Sequence, residues 1–199
     1  MRRRVLIVRH CQSQANAEGR IEGRGDSPLS EEGRRQAEAL AAFFAAQGSR
    51  EATLIASSQA RAIATAAAIA AACGWTHASD HRIREGELGW MEDLPYTEVG
   101  RHIAANKTRE LDADLHGGES RDAVAARFWE ALAEAIEVGE GPLVLVSHGY
   151  AIQALLRRLG MQTPSPSFIS NGDVVELWLE AGALAEPIKH YPLKVLSET

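Results

Sequence analysis

Cysteine is scarce in this chain. Cys11 and Cys73 are the two among 199 residues, so there is no disulfide framework, and no cysteine–histidine cluster has the spacing of a zinc site. That usage points to a reducing, cytoplasmic setting. A surplus of positive charge is also missing. The formal net charge of −6 excludes general attraction to nucleic acid or to an anionic membrane. An anion site in such a chain has to be a local basic pocket. Long apolar runs are absent too. After Met1-Arg2-Arg3-Arg4 the apolar stretch covers only Val5–Val8, too short for a signal-peptide core, and the alanine-rich run Ala62–Cys73 is too short to span a bilayer. There is no low-complexity segment. The length predicts one domain over residues 1–199 with a substantial core.

What is present begins with Arg4-Val5-Leu6-Ile7-Val8-Arg9-His10. Four branched apolar residues in a row read as a strand buried on both faces, and an open α/β sheet carries its ligands beyond the carboxyl ends of such strands. Arg9 and His10 fall at that end, and a cation beside an imidazole suits the handling of phosphate. The design recurs in Pro142–Tyr150, an apolar strand followed by Ser147-His148-Gly149 and a helical run. Two histidines just past two buried strands can face one another across a cleft.

Between them, the glycine- and charge-rich stretch from Asn16 to Asp26 predicts a loop. Ser30 predicts a helix N-cap with Glu31 and Glu32 in the first turn, and Ala37, Leu40, Ala41 and Phe44 give that helix a core face. A second strand is expected over Ala52–Ala56, then a helix to Cys73. Arg61 would lie in its first turn, an electrostatically poor place for a cation unless it meets an anion there. Residues 86–118 read as an excursion over the site, with a short helix over Pro95–Ala105. A long helix begins at Glu119 or Ser120, with Val124, Phe128, Leu132 and Ile136 on one face. Asp173–Leu179 alternates like a sheet-edge strand, and Ile188–Leu196 allows one more short strand. The order predicts an α/β fold: three layers, α/β/α, with a mainly parallel central sheet.

Taken together these stretches resemble the histidine phosphatase, or phosphoglycerate mutase-like, superfamily. Arg9-His10 resembles its Arg-His-Gly signature, and Asn16 stands where it has a loop asparagine. Asp26-Ser27-Pro28-Leu29-Ser30-Glu31-Glu32-Gly33 with Gln36-Ala37 resembles the stretch that follows. Ser57-Ser58 with Arg61, Ala62 and Thr65 is similar to its second motif. Arg84-Glu85, Leu88-Gly89 and Glu92 resemble the acid-bearing segment, and Gly118-Glu119-Ser120 and Ser147-His148-Gly149 its later motifs. The pieces keep the family's order from residue 5 to about residue 175. Three positions depart: Cys11 stands where glycine is usual, Gln12 where glutamate is usual, and Asp93 where glycine is frequent.

The resemblance implies a phosphoglycerate mutase-like fold and a phosphatase of the histidine acid phosphatase type, with a phosphohistidine formed on His10. Arg9 and Arg61 would grip the phosphoryl oxygens. His148 would bind the same group and stabilise the transition state. Asn16, Ser13 and the Gly149 N–H would be neutral donors. Glu85 would be the general acid, with Glu87 its rival. No metal and no cofactor is expected. The expected partner is a small phosphorylated substrate, not nucleic acid or membrane, and the assembly state, a homodimer included, is open. The alternatives are phosphate transfer of the cofactor-dependent phosphoglycerate mutase type and a non-catalytic phospho-ligand binder. Lys107 and Arg109 are candidates for a second anionic group, Trp90 and Tyr150 for the mouth of the site. His77, His81, His102, His116 and His190 are assigned to surface or structural roles, Trp75 and Trp178 to packing. Oxidation of Cys11, beside the nucleophile, is expected to block the pocket.

Overall fold

The computed structural model describes residues 2–105, 117–139, 141–161, 169–181 and 183–193. Its centre is β1 (Arg2–Arg9). On one side β1 pairs in parallel with β4 (Leu143–Ser147), and β4 with β2 (Thr53–Ser57), which pairs with β3 (His77–Asp80). On the other side it pairs antiparallel with β5 (Val174–Glu180). The order is β3-β2-β4-β1-β5-β6, with β6 (Ala183–Leu184) and β7 (Lys189–Tyr191) both antiparallel to β5.

Successive side chains of a strand point to opposite faces, and this divides the core in two. Val5 and Ile7 of β1 join Val124, Phe128 and Leu132 of α5 (Arg121–Ile136) and Ile152 and Leu155 of α6 (Gly149–Arg158). Leu6 and Val8 join Leu40 and Phe44 of α2 (Glu31–Ala46) and Ala62, Ala66 and Ile69 of α3 (Ala60–Cys73). The result is the three-layer α/β/α arrangement expected. Ser30 caps α2 as read, its side chain accepting from the Gly33 N–H. The helix expected near Pro95 is α4 (Tyr96–Ala105), and a single turn, α1 (Gln14–Ala17), interrupts the first loop.

One expectation is corrected. The segment near Val174 is not at the sheet edge: β1 lies along one side of β5, while β7 and β6 share the other. Its polar Glu176 is buried because Arg4 (2.8 Å) and the Trp178 indole (3.0 Å) satisfy it. The excursion has an apolar cluster of its own, Leu88, Met91 and Val99 with Ile21, pinned to the first loop by Ile21 N–H to Leu94 O and Tyr96 N–H to Gly19 O. In the tail only Lys189–Tyr191 is a strand; residues 194–196 lie outside the described part.

At the amino end of β1, Arg3 is 2% exposed. Its guanidinium donates to the carbonyls of Ala135, Ile136 and Val138 at the end of α5 (2.6–2.7 Å), to Gly141 O (3.2 Å) and to the Thr53 hydroxyl (2.8 Å). It satisfies the carbonyls that a helix C-terminus leaves over, with a charge of the favourable sign. Among the described residues no helix is long and apolar enough to cross a membrane.

Candidate active site

The carboxyl ends of β1, β4 and β2 converge, and the register sets Arg9 beside Ser147. His10 and His148, one residue beyond, are therefore neighbours. Their ring centroids are 4.9 Å apart at 55°. A cleft of about 570 Å³ opens above them, walled by Arg9, His10, Asn16, Arg61, Glu85 and Gly149, and further out by Leu88, Tyr96, Arg121 and Tyr150.

His10 is held on every side. Its N–H donates to Ser147 O (2.8 Å), and its carbonyl accepts from Asn171 Nδ2 (3.0 Å). Ring Nδ1 lies 2.7 Å from the Cys11 carbonyl. A carbonyl only accepts, so Nδ1 carries the hydrogen and Nε2 keeps a lone pair. Burial, then the Arg61 and Arg9 charges, holds His10 well below its ordinary pKa. It is a neutral imidazole whose Nε2 is an acceptor.

That nitrogen is 3.2 Å from the Arg61 Nε–H. Arg61 is 1% exposed, not a solvated surface cation. Its terminal nitrogens donate to Gly25 O (2.7 Å) and Gly23 O (3.0 Å), and one lies 3.2 Å from Glu22. Its cost at the helix start is met by loop carbonyls and a carboxylate. Arg9 donates to Ile169 O (2.6 Å), and its Nε has no hydrogen-bond partner among the described residues. A Cβ at position 149 would stand 3.3 Å from the Arg9 guanidinium carbon, so Gly149 is what lets Arg9 lie flat against the start of α6.

His148 is the N-cap residue of α6 and fully buried. Its Nε2 is 2.7 Å from the Ser57 hydroxyl, and its Nδ1 has no partner among the described residues. Burial, then the charges of Arg61, His10 and Arg9, holds it neutral as well.

Glu85 is buried beneath the N-terminus of α6. One oxygen accepts from the N–H groups of Gly86 (2.9 Å) and Ala151 (3.0 Å), the other from Tyr150 (3.2 Å). Burial pushes its pKa up, against the downward pull of the Gly86 N–H, Arg61 and the Tyr150 N–H. The rival, Glu87, is half exposed and paired with Arg24 (3.0 Å), outside the cleft wall.

Asn16 lines the cleft, fixed between Tyr96 (3.1 Å) and Asn171 (3.1 Å). Ser13 does not line it. Fully buried, it caps α1, and its hydroxyl donates to Glu22 (2.6 Å). Trp90 is stacked against His102, not on the cleft wall, while Tyr150 does line it. Lys107, Arg109 and His116 lie outside the described residues.

Cys11 overturns the oxidation reading. Its thiol is fully buried in the core on the α2–α3 face, and burial pushes its pKa up to about 12. A thiol without thiolate or solvent access is inert. Its backbone is not in the left-handed region, and its N–H donates to the Thr65 hydroxyl (3.1 Å). Asp93 does carry the backbone that glycine favours, with φ +65°, and pairs with Arg20 (2.8 Å).

Three participants had no clear signal in the sequence, Glu22, Gln59 and Asn171, while Ser57 lay in the second motif without a role assigned to it. Glu22 changes the electrostatics most. Beside Arg61, and bonded to Ser13 and the Ser27 N–H (2.6 Å each), it is a second buried carboxylate in the cleft wall. The guanidiniums of Arg9 and Arg61, with that of Arg121 further out, thus face the carboxyl groups of Glu22 and Glu85, with both imidazoles neutral.

Comparison with known proteins fits this geometry. Residues 5–183 match the model of the histidine phosphatase superfamily, branch 1. The chain is 35% identical to a probable phosphoglycerate mutase GpmB of Salmonella paratyphi C, over 98% of this chain and 97% of that one. It superposes on a mycobacterial glucosyl-3-phosphoglycerate phosphatase with TM-score 0.78 at 30% identity, covering 96% of this chain and 99% of the other. A phosphoglycerate mutase of Bacillus anthracis shares the fold, with TM-score 0.77 at 18% identity over 99% and 96% of the two chains. A neutral histidine at the end of the central strand, ringed by two buried arginines, a second histidine and a buried glutamate, is thus found in a chain that belongs to the histidine phosphatase superfamily.

Proposed function

We propose that the protein is a phosphomonoester hydrolase acting on a small phosphorylated metabolite through a phosphohistidine on His10. The observation that carries this reading is the fixed tautomer of His10, a cleft-lining ring whose Nε2 lone pair is held by the Nε–H of the cleft-lining Arg61, the group that would release it to grip the phosphoryl oxygens. In the first step Nε2 attacks phosphorus and the ester P–O bond breaks. The imidazolium charge that develops is partly dispersed through Nδ1–H to the Cys11 carbonyl. Arg9 and Arg61 stabilise the non-bridging oxygens. With Ser57 donating to Nε2 of His148, Nδ1 of that ring carries a hydrogen and becomes a further donor to the phosphoryl group.

The leaving alkoxide takes its proton from Glu85. A dianion entering beside this carboxyl raises its pKa further, so binding loads the acid. With two carboxyl groups already in the wall, a dianion that arrives with a proton adds less negative charge to the cleft than one that arrives alone. In the second step Glu85 takes a proton from water, the oxygen attacks phosphorus, the P–N bond breaks, and phosphate leaves with His10 restored. The charge in these steps is handled by guanidinium, imidazole and carboxyl groups alone. A cleft of about 570 Å³ leaves room for the alcohol part of a small metabolite beyond the phosphate.

The test is hydrolysis of p-nitrophenyl phosphate with EDTA present, wild type against His10→Ala. Turnover in the wild type and its loss in the variant are expected, and a wild type without activity across a panel of phosphorylated metabolites would leave a phospho-ligand binder. The names of the curated relatives favour a second reading, phosphate transfer between positions of one sugar acid. Conversion of 3-phosphoglycerate to its isomer, dependent on added 2,3-bisphosphoglycerate and without release of phosphate, would select it.

A further inference from the structure

Gln59 occupies the N-cap position of α3, where short side chains usually accept from the helix's own first N–H groups, yet it makes no such bond. Asp26 serves the Ala60 N–H from outside (2.7 Å). The Gln59 side chain turns instead into the floor of the site, 6% exposed. Its Oε1 accepts from the backbone N–H of Glu85 (2.9 Å). Its Nε2 donates to Gly23 O and to Gly25 O (3.1 Å each). The amide orientation is forced, because two carbonyls need donors and one N–H needs an acceptor. The same two carbonyls also receive the Arg61 guanidinium. In addition, the Gln59 N–H donates to the Ser57 hydroxyl (3.3 Å) that holds His148. One buried residue therefore joins the acid-bearing segment, the loop that holds Arg61, and the serine behind the second histidine, without lining the cleft itself.

We infer that Gln59 is a positioning residue for proton donation: its side-chain amide fixes the Glu85 segment against the Gly23–Gly25 loop and so sets the distance between the acid and the leaving oxygen. This rests on the proposed hydrolysis, with Glu85 as acid. Catalytic groups displaced by about an ångström lose on the order of 10²-fold in rate. The loss should depend on how much the leaving group needs a proton. An alkyl phosphate expels a basic alkoxide and needs one; p-nitrophenyl phosphate expels a stable phenolate and does not.

The experiment compares kcat/KM, which reports only the steps through cleavage of the ester bond, on an alkyl phosphate and on p-nitrophenyl phosphate for wild type, Gln59→Met, Gln59→Glu, Glu85→Gln and the double variant Gln59→Met with Glu85→Gln. Methionine keeps the length and removes every polar contact. The expected result is a loss on the order of 10² with the alkyl ester and under about threefold with the aryl ester. Gln59→Glu keeps an oxygen toward the Glu85 N–H and loses the donor toward the loop. With the loop end of the tether cut, it should lower the alkyl-to-aryl ratio by at least about tenfold and also weaken inhibition by inorganic phosphate about tenfold. In the Glu85→Gln background, Gln59→Met should not lower the ratio further, because both act on one proton transfer. An unchanged ratio in Gln59→Met, an equal loss on both esters, or multiplying effects in the double variant would overturn the assignment. If Gln59→Met does not fold, the Gln59→Glu ratio decides alone, an unchanged ratio counting against it. A wild type that hydrolyses neither ester would instead remove the functional reading beneath it.

Discussion

His10 and His148 stand at the ends of adjacent parallel strands, both buried, both neutral, and in nearly the same frame, yet the groups behind their rings differ. In His10 the Cys11 carbonyl takes Nδ1, and Nε2 accepts from the Arg61 Nε–H. In His148 the Ser57 hydroxyl takes Nε2 and leaves Nδ1 unpartnered. Under the proposed mechanism the first arrangement suits a nucleophile with a fixed lone pair, and the second a ring that donates to an anion. The lesson is that the role of a histidine is assigned by the hydrogen bond behind it, not by the strand that delivers it.

The comparison breaks most sharply at His10. His10→Ala should lower turnover of p-nitrophenyl phosphate by more than about 10³-fold and abolish the acid-labile phosphoenzyme seen by rapid quench. His148→Ala should lower kcat by on the order of 10²- to 10³-fold while the phosphoenzyme still forms. Equal losses, or a phosphoenzyme surviving in His10→Ala, would show the two roles wrongly divided.

Stability should report both rings at once. In the unfolded chain each imidazole binds a proton as pH falls through about 6.5, whereas in the folded protein both stay neutral to well below that value. Their stabilising contribution is therefore complete above about pH 6.5 and is lost on acidification. The two together give about 2.7 kcal/mol per pH unit, and His148→Gln should halve that share in urea titrations at stepped pH. Ser57→Ala, which frees Nε2 of His148, should lower kcat about tenfold with KM for the aryl ester nearly unchanged. The smallest effect belongs to Cys11: brief peroxide treatment should leave activity intact, because the thiol next in sequence to the nucleophile faces the core. Rapid loss restored by thiol and absent in Cys11→Gly would contradict its burial.

Much of this was legible in one dimension. The unbroken Val5–Val8 run, the two strand-histidine units and Ser30 as a helix cap are local patterns, and each reappears where the pattern put it. What escaped reading depends on pairing. β3 is His77-Ala78-Ser79-Asp80, with no β-branched residue, and is a strand because β2 offers it a parallel edge. Val174–Glu180 alternates like an edge because Glu176 interrupts it, but Arg4, 172 residues away in sequence and opposite Trp178 in the register, neutralises that charge from β1. Nothing local distinguishes the buried Glu22 carboxylate or Gln59 amide from a solvated one. The Gln59 side chain finds its partners 26 to 36 residues away, and Glu22 meets Arg61 across a whole strand and helix.

The Arg3 guanidinium at the far end of β1 carries a practical consequence. Arg3 acts as a rivet, since its side chain fastens the end of α5 to the amino end of β1. A shortened start or a bulky fusion placed against Arg3 would be felt at Ala135–Gly141, a helix away from the catalytic cleft, as premature fraying measurable by amide exchange.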